Sequence, residues 1–337
     1  MKKLTIAVVG ATGAVGQEIL SVLEERNFPV NKLVPLASQR SVGKKVLFQG
    51  KEYLVEESLP DAFKDVDLAF FSAGTKVSLN LAPEAVKRGC VVIDNSNAFR
   101  MDPTVPLIVP EVNAHAIKHH QGLIANPNCS TIQMVVVLKP LHDYTPIRRV
   151  IVSTYQSVSG TGLEAMEELT EQSQALLAGK EPNIEVYPHQ IAFNILPHID
   201  VFDETGYSLE EWKMVRETKK IMNDEKIAVN ATTVRVPVYR GHSEAIAIET
   251  EGELSPTKAR EILAQAPGVV VIDDPANNQY PIAINCAGRD EVFVGRIRED
   301  FTVENGLNLW VVADNLRKGA ALNAVQIGEK LLAEELL

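Results

Sequence analysis

Thr5-Ile6-Ala7-Val8-Val9-Gly10-Ala11-Thr12-Gly13-Ala14-Val15-Gly16 is a short apolar run ending in three evenly spaced glycines. Read as a β-strand followed by a helix over 14–25, it forms the opening βα unit of a nucleotide-binding sheet. Gly10, Gly13 and Gly16 let the backbone turn tightly and approach a pyrophosphate. The helix N-terminus beyond them offers free N–H groups and a positive dipole to that anion. The spacing is G-x-x-G-x-x-G rather than the commoner G-x-G-x-x-G, so its place between strand and helix carries the reading. A glycine-rich turn without a ligand is the plainer alternative.

Working outward, strand and helix signals alternate. A strand is expected over 32–37, a polar hairpin-like stretch over 40–57, and a buried strand over Leu68-Ala69-Phe70-Phe71 that ends at Ser72-Ala73-Gly74-Thr75. A helix over 77–88 and a strand over 90–94 follow. Repeated βα units predict an α/β, Rossmann-type doubly wound parallel sheet. The second strand ends Ala37-Ser38-Gln39-Arg40-Ser41, with no acid to accept from a ribose 2′-hydroxyl and one guanidinium to meet a 2′-phosphate. That selects NADP over NAD, unless Arg40 merely opens a solvated hairpin.

Beyond about residue 130 the pattern changes. Helices are expected over 163–178 and 209–222, with strands over 149–155, 232–239 and 244–250, as in a mixed α+β catalytic and dimerisation domain. An alanine- and leucine-rich helix over 316–336 is expected to return to the first domain. The expected division is therefore 1–128 plus 316–337, and 129–315.

The length of 337 residues suits two domains. A net charge of −11 without a basic run argues against nucleic acid or an anionic membrane as partner. No apolar run approaches the roughly 18 residues of a membrane span. Met1 to Gly10 is basic then apolar, but it runs into the glycine turn without a cleavage site and reads as a strand, not a signal peptide. Three cysteines and seven histidines show no metal-ligand spacing. No metal is expected, and reduced thiols in a cytoplasm are.

Asn126-Pro127-Asn128-Cys129-Ser130-Thr131 precedes the apolar run Ile132 to Leu138. Its Asn, Ser and Thr are N-cap types, so a buried helix is expected to start near Cys129. A thiol there feels unpaired backbone N–H groups that favour thiolate and can also stabilise an oxyanion. Local chemistry leaves a nucleophile and a structural thiol both open. Cys90 and Cys286 read as small buried hydrophobes.

At this point the sequence resembles the bacterial aspartate-semialdehyde dehydrogenases. The matching segments are 10–16, Asp94-Asn95-Ser96-Asn97-Ala98-Phe99-Arg100, Val109-Pro110-Glu111-Val112-Asn113, 126–131 and Thr154-Tyr155-Gln156-Ser157-Val158-Ser159-Gly160. Ala192-Phe193-Asn194-Ile195-Leu196-Pro197, 235–242 and 314–321 complete the set, in order along nearly the whole chain. The resemblance implies Cys129 as nucleophile, His242 as general acid/base and Gln156 as the residue orienting the acyl-enzyme. It implies Arg235 on the substrate carboxylate, Glu210 on its ammonium (with Glu211 the adjacent alternative), and Arg100 and Lys213 on phosphate. Thr12, Gly13, Ala14, Val15, Arg40, Ser41, Ser159, Gly160 and Asn315 fall where the family contacts NADP.

Some of these roles make local sense. Arg suits a carboxylate through paired hydrogen bonds. In Val234-Arg235-Val236-Pro237-Val238 the valines share one face of a strand and Arg235 takes the other, where a surface arginine is the plain alternative. His242 after Gly241 reads as a loop position at a strand end. Glu210 and Lys213 share a helix face just after Ser208, which with Glu211 makes a capping-box pattern. By pattern alone that pair is an exposed ion pair.

The implied reaction is reduction of β-aspartyl phosphate by NADPH to aspartate semialdehyde and phosphate, through a Cys129 thioester, by a homodimer. It belongs to biosynthesis of lysine, threonine, methionine and isoleucine. N-acetyl-glutamyl-phosphate reductase, whose nucleophile segment is closer to Asn-Pro-Gly-Cys, and a non-catalytic NADP sensor are the rival readings.

Overall fold

The computed structural model describes residues 3–337 and falls into two compact units. The first ends at Asn128 and resumes over Ala320–Leu337, and the second is Cys129–Gly319. Met1 and Lys2, part of the opening run, lie outside the described residues.

In the first unit the strands are β1 (Leu4–Val9), β2 (Val30–Ala37), β3 (Lys45–Phe48), β4 (Lys51–Leu54), β5 (Glu56–Glu57), β6 (Leu68–Phe71), β7 (Val91–Asp94) and β8 (Leu123–Ala125). The helices are α1 (Ala14–Glu25), α2 (Thr75–Lys87), α3 (Pro110–Asn113) and the C-terminal Leu322–Ala333. A parallel sheet runs in the order β5-β2-β1-β6-β7-β8. Strands covered on both faces must be apolar, and β1 is apolar from Ile6 to Val9. Ile6 and Val8 join Ile19, Leu23, Phe70, Leu322 and Val325 in one core, while Ala7 and Val9 join Phe71, Ala82, Ala85 and Val92 in the other. Truncating Ile19 or Leu23 to alanine would cost about 2–5 kcal/mol. The polar stretch after β2 resolves into a turn of 3-10 helix (Gln39–Ser41) and the antiparallel hairpin β3–β4. Strand β5 then sets Glu56 and Glu57 beside Leu36 and Ala37.

The second unit contains α4 (Cys129–Tyr144), β9 (Ile147–Gln156), α5 (Leu163–Leu177), α6 (Leu209–Met222), β10 (Ala228–Arg235), β11 (His242–Thr250) and α7 (Pro256–Gln265). It ends with β12 (Val269–Val271), α8 (Ala283–Cys286), β13 (Val292–Asp300) and β14 (Gly306–Ala313). Its mixed sheet runs β10-β9-β11-β14-β13-β12, parallel at β10/β9 and β12/β13 and antiparallel elsewhere. Helix α4 packs against β9, β11, β13 and β14 and is buried all round from Ser130 to Leu138, where the run Met134 to Leu138 is wholly apolar. Residues alternate along β9: Val150, Val152, Thr154 and Gln156 are buried, while Ile151 and Tyr155 are exposed.

Three expectations are corrected. The strand expected over 232–239 stops at Arg235, because Pro237 has no N–H for a sheet ladder; Arg235 itself is buried, so the surface alternative for it is not what forms. His242 is not in a loop: it opens β11, paired with Ala313, and is fully buried. The C-terminal helix begins only at Leu322, after a turn of π-helix over Arg317–Ala321.

Among the described residues no helix is long and apolar enough to cross a membrane, and no cluster of His, Cys, Asp or Glu could hold a metal.

Candidate active site

In the first unit the sheet changes direction at β1, whose neighbours are β2 on one side and β6 on the other. Ligands of such sheets bind beyond the strand ends at this point. Gly10 sits there with φ +86°, and a Cβ on it would lie 2.8 Å from the Ser72 carbonyl oxygen. A Cβ on Gly16 would fall on the Gly10 carbonyl, so helix α1 reaches the turn only with glycine at that position. Gly13 leads into α1, is exposed, and no side chain caps the helix. The N–H groups of the first turn, at Ala14, Val15 and Gly16, are therefore left for an anion. Thr12 Oγ1 lies 3.4 Å from Ser41 Oγ, which brings the glycine turn to the 3-10 turn that carries the exposed Arg40. Those residues fit a dinucleotide.

Also in this unit, Arg100 is buried, with Nε on the Asn126 carbonyl (2.9 Å) and a terminal nitrogen on the Asn95 carbonyl (2.7 Å). Asn126 in turn donates to Asn95 Oδ1 at 2.9 Å and accepts from Asn323 at 2.7 Å.

In the second unit, Cys129 is the first residue of α4 and is partly exposed, whereas Cys90 and Cys286 are buried. Burial pushes the Cys90 thiol up to about 12 and the Cys286 thiol up to about 11, so neither is a ready nucleophile. A Cβ on Gly319 would stand 2.8 Å from Cys129 Cβ, so the chain passes close against the nucleophile candidate at a residue without a side chain.

His242 carries the most organised surroundings. Its Nδ1 is 3.0 Å from the Ser157 backbone nitrogen and 3.0 Å from Ser157 Oγ. Ser157 Oγ lies 3.1 Å from Ser159 Oγ, which accepts from Asn315 Nδ2 at 3.0 Å. Asn315 Oδ1 accepts from the Gly241 backbone N–H at 3.0 Å. The Ser159 and Asn315 side chains, expected at a cofactor, are here turned to this network. On the far side of the ring, Nε2 is buried and has no partner among the described residues. A Cβ on Gly160 would lie 3.4 Å from Nε2 and 3.0 Å from an Arg235 nitrogen, so this glycine keeps the space beside both side chains open. Burial, and then the positive charge of Arg235, hold the imidazole well below its ordinary pKa.

Arg235 donates to the Ser157 carbonyl at 2.8 Å and lies 5.9 Å from the Tyr187 ring centre, and its buried Nε is unpaired. A buried guanidinium with a free donor and no carboxylate partner among the described residues can receive an anion. Nearby, Gln156 Nε2 donates to Glu210 Oε1 at 3.2 Å, and Lys213 Nζ meets Glu210 Oε2 at 3.0 Å and Asp200 at 2.8 Å. Glu210 is buried, so the exposed ion pair suggested by the pattern is not what forms. Burial pulls the Lys213 ammonium down, but Glu210 and Asp200 outweigh it and raise its pKa. Glu211 is committed elsewhere: it completes the capping box with Ser208 and accepts from the Thr233 N–H at 3.0 Å.

Three residues of this site escaped the sequence reading: Ser157, Gln133 and Glu244. Gln133, one turn beyond Cys129 in α4, donates to the His242 carbonyl at 3.4 Å. Glu244 is fully buried on the same face of β11 as His242, and burial drives its carboxyl well above the usual range despite the Gln133 amide. The alternation His242-x-Glu244 was the available signal, since it puts both on one strand face.

Two family models divide the chain. One for the semialdehyde dehydrogenase NAD binding domain matches residues 5–120, and one for the semialdehyde dehydrogenase dimerisation domain matches residues 138–318. The aspartate-semialdehyde dehydrogenase of Aquifex aeolicus is 60% identical over 98% of this chain and 99% of its own. That of Legionella pneumophila is 56% identical over 100% and 98%. Among solved structures, aspartate semialdehyde dehydrogenase II of Vibrio cholerae complexed with ASA matches with TM-score 0.96 at 47% identity, covering 99% of each chain. The Candida albicans enzyme with NADP matches with TM-score 0.79 at 26% identity over 100% of both.

Proposed function

Because this chain belongs to the aspartate-semialdehyde dehydrogenase family, we propose that it reduces β-aspartyl phosphate to aspartate semialdehyde and phosphate through a thioester on Cys129. The observation that carries this reading is the contrast among the thiols: only Cys129 opens a helix and is partly exposed. There the α4 N–H groups favour thiolate and can hold the oxyanion formed on attack. The sulfur bonds to the acyl carbon as the carbon–oxygen bond to phosphate breaks.

Bound NADPH supplies the hydride that reduces the thioester. Gly10, Thr12, Gly13, Ala14, Val15, Arg40 and Ser41 hold the dinucleotide, with Arg40 on the 2′-phosphate, and Ser159, Gly160 and Asn315 border the nicotinamide end. Arg235 binds the substrate carboxylate, Glu210 its ammonium, and Gln156, anchored on Glu210, orients the acyl group. Arg100 and Lys213 each take phosphate, and His242 is the general acid/base that assists proton transfer as the thiohemiacetal collapses to aldehyde and free thiol. The site works in the cytoplasm, in a homodimer. Support for the dimer is the dimerisation-domain match and the exposed Ile151 and Tyr155, the latter packed 5.6 Å from Trp310 on the open face of the second sheet.

The test is NADP reduction with aspartate semialdehyde, with and without phosphate or arsenate. Turnover that needs the anion and is lost in Cys129→Ala is expected, with a mass adduct on Cys129 when turnover is quenched. Activity with N-acetylglutamate semialdehyde alone would move the chain to the sister reductase. No anion-dependent turnover on either aldehyde would leave an NADP sensor.

A further inference from the structure

The segment 183–197, which ends in the family-like run 192–197, has no part in the reaction above. Two side chains of α5, Glu168 and Gln172, stand four residues apart on one helix face and fasten it. Glu168 Oε2 accepts from the backbone N–H groups of Glu185, at 3.2 Å, and of Val186, while its Oε1 accepts from Gln172 Nε2 at 2.9 Å. Gln172 Nε2 also donates to the Asn183 carbonyl at 2.8 Å. Its Oε1 accepts from the N–H groups of Ile191 and Ala192 at 3.0 and 3.1 Å. Both side chains are buried, and Ile191, Ala192 and Leu196 pack with Val158, Ala165 and Leu169 in an apolar cluster. A loop whose backbone groups are satisfied by two buried side chains is held in one conformation.

The fastened segment meets Arg235 twice. Leu196 pairs with it backbone to backbone, N–H to carbonyl in both directions, at 2.9 and 2.8 Å. Between the two points of attachment to α5, half-buried Tyr187 sets its ring centre 5.9 Å from the Arg235 guanidinium carbon. Its hydroxyl lies 3.0 Å from Thr161 Oγ1. Burial pushes the phenol up and outweighs the opposite pull of Arg235, so a neutral ring faces the guanidinium.

We infer that Tyr187, held by Glu168 and Gln172, positions Arg235 for the substrate carboxylate and thereby sets the preference for a substrate with that group free. The inference rests on the carboxylate role proposed for Arg235 and deepens it. The guanidinium has one side-chain hydrogen bond among the described residues, to the Ser157 carbonyl at 2.8 Å, and its buried Nε is unpaired. One bond leaves the planar group free to turn, and a ring held against it limits that rotation. A carboxylate takes two parallel hydrogen bonds from one guanidinium plane, so the orientation of that plane decides how well it binds. The ring also keeps water from one side of the cation, which strengthens its pull on an anion. Tyr187, Glu168 and Gln172 are positioning residues: they act through Arg235, and no bond-making step passes through them.

The test compares aspartate semialdehyde with its α-methyl ester, which lacks the carboxylate charge, in the oxidative direction with NADP and phosphate. The parent should prefer the acid by about a hundredfold or more in kcat/KM, because the ester leaves a buried charged donor unpaired. A parent that turns over both equally well would remove the carboxylate role of Arg235, and the inference with it, before any variant is compared. Tyr187→Leu keeps apolar bulk without the ring. Its kcat/KM for the acid should fall about tenfold or more through KM, while the ester loses less than about twofold. Equal loss on both substrates would make Tyr187 a support of the fold alone, and loss on neither would show that it does not position Arg235; either result overturns the inference. Tyr187→Phe restores the ring without the hydroxyl and should recover most of the acid preference. A Phe variant as impaired as the Leu variant would overturn the role of the ring. Glu168→Ala frees the segment from α5 and should lower the acid preference in the same sense, with Tm recorded beside it. A lowered Tm with the parent's preference intact would show that the clamp on α5 does not hold Tyr187 in place.

Discussion

Gln156 and Glu210, 54 residues apart in the chain, are joined by a 3.2 Å hydrogen bond between two buried side chains. Glu210 uses its other oxygen on Lys213. One carboxylate thus positions an amide and a cation together. Glu210→Gln should raise KM for aspartate semialdehyde about tenfold to hundredfold, the scale of a lost charge-assisted hydrogen bond. Its neighbour makes the control. Glu211→Gln weakens a helix cap and should lower stability by about 0.5–2 kcal/mol with KM little changed. Steady-state kinetics beside denaturant melts separate the two, and a KM change confined to the Glu211 variant would reverse the assignment.

Gly160 has an ordinary backbone conformation, so alanine there is not strained as a turn residue. Its added carbon, 3.0 Å from an Arg235 nitrogen and 3.4 Å from His242 Nε2, takes up space beside both. Gly160→Ala should fold with a Tm near the parent's and lose tenfold or more in kcat/KM, roughly what a misplacement of about 1 Å does to an oriented reaction. Unchanged kinetics would mean that substrate does not occupy that space.

Glu244 has its folded-state pKa raised by burial. Below the unfolded pKa, about 4.3, both states are protonated and the shift costs nothing. As pH rises from there toward the folded pKa, only the unfolded chain can ionise, and stability is progressively lost. Glu244→Gln removes that titration with little change of shape. The variant should melt a few degrees above the parent at neutral pH, with the difference shrinking as pH falls toward about 4.3. Thermal melts across that window check it, and a variant less stable at neutral pH would show that the carboxyl is ionised and paired.

Arg40 is exposed on its 3-10 turn, and β5 places Glu56 and Glu57 beside the end of β2. A 2′-phosphate therefore depends on this guanidinium in a locally acidic setting. Arg40→Ala should raise KM for NADP about tenfold or more and leave KM for NAD unchanged. An equal loss with both cofactors would place Arg40 in general folding or pyrophosphate binding.

How far the site could be read in one dimension varied with the range of the interaction concerned. Cys129 at the start of α4, the Ser208–Glu211 cap and the glycine turn from Gly10 to Gly16 each depend on neighbours within one turn of chain, and residue type alone announced them. The same holds for the βα rhythm of the first unit, whose strands had to be apolar on both faces because helices cover both. The end of the strand through Arg235 and the place of His242 were misread because sheet pairing is not local. A strand that looked continuous ends at Arg235, two residues before Pro237, and a residue that looked like a loop position pairs with Ala313.

Glu210 and Lys213 have the pattern of a solvated pair on α6, and only Gln156, reaching from β9, reveals Glu210 as part of a buried cluster. The sequence by itself determined which elements form and where their polarised ends lie, since backbone geometry and capping are set by adjacent residues. Tertiary structure alone decided what surrounds His242 Nδ1. Those surroundings come from Ser157 and, behind it, from Gly241 and Asn315, and these meet only when residues up to 158 positions apart are packed together away from water.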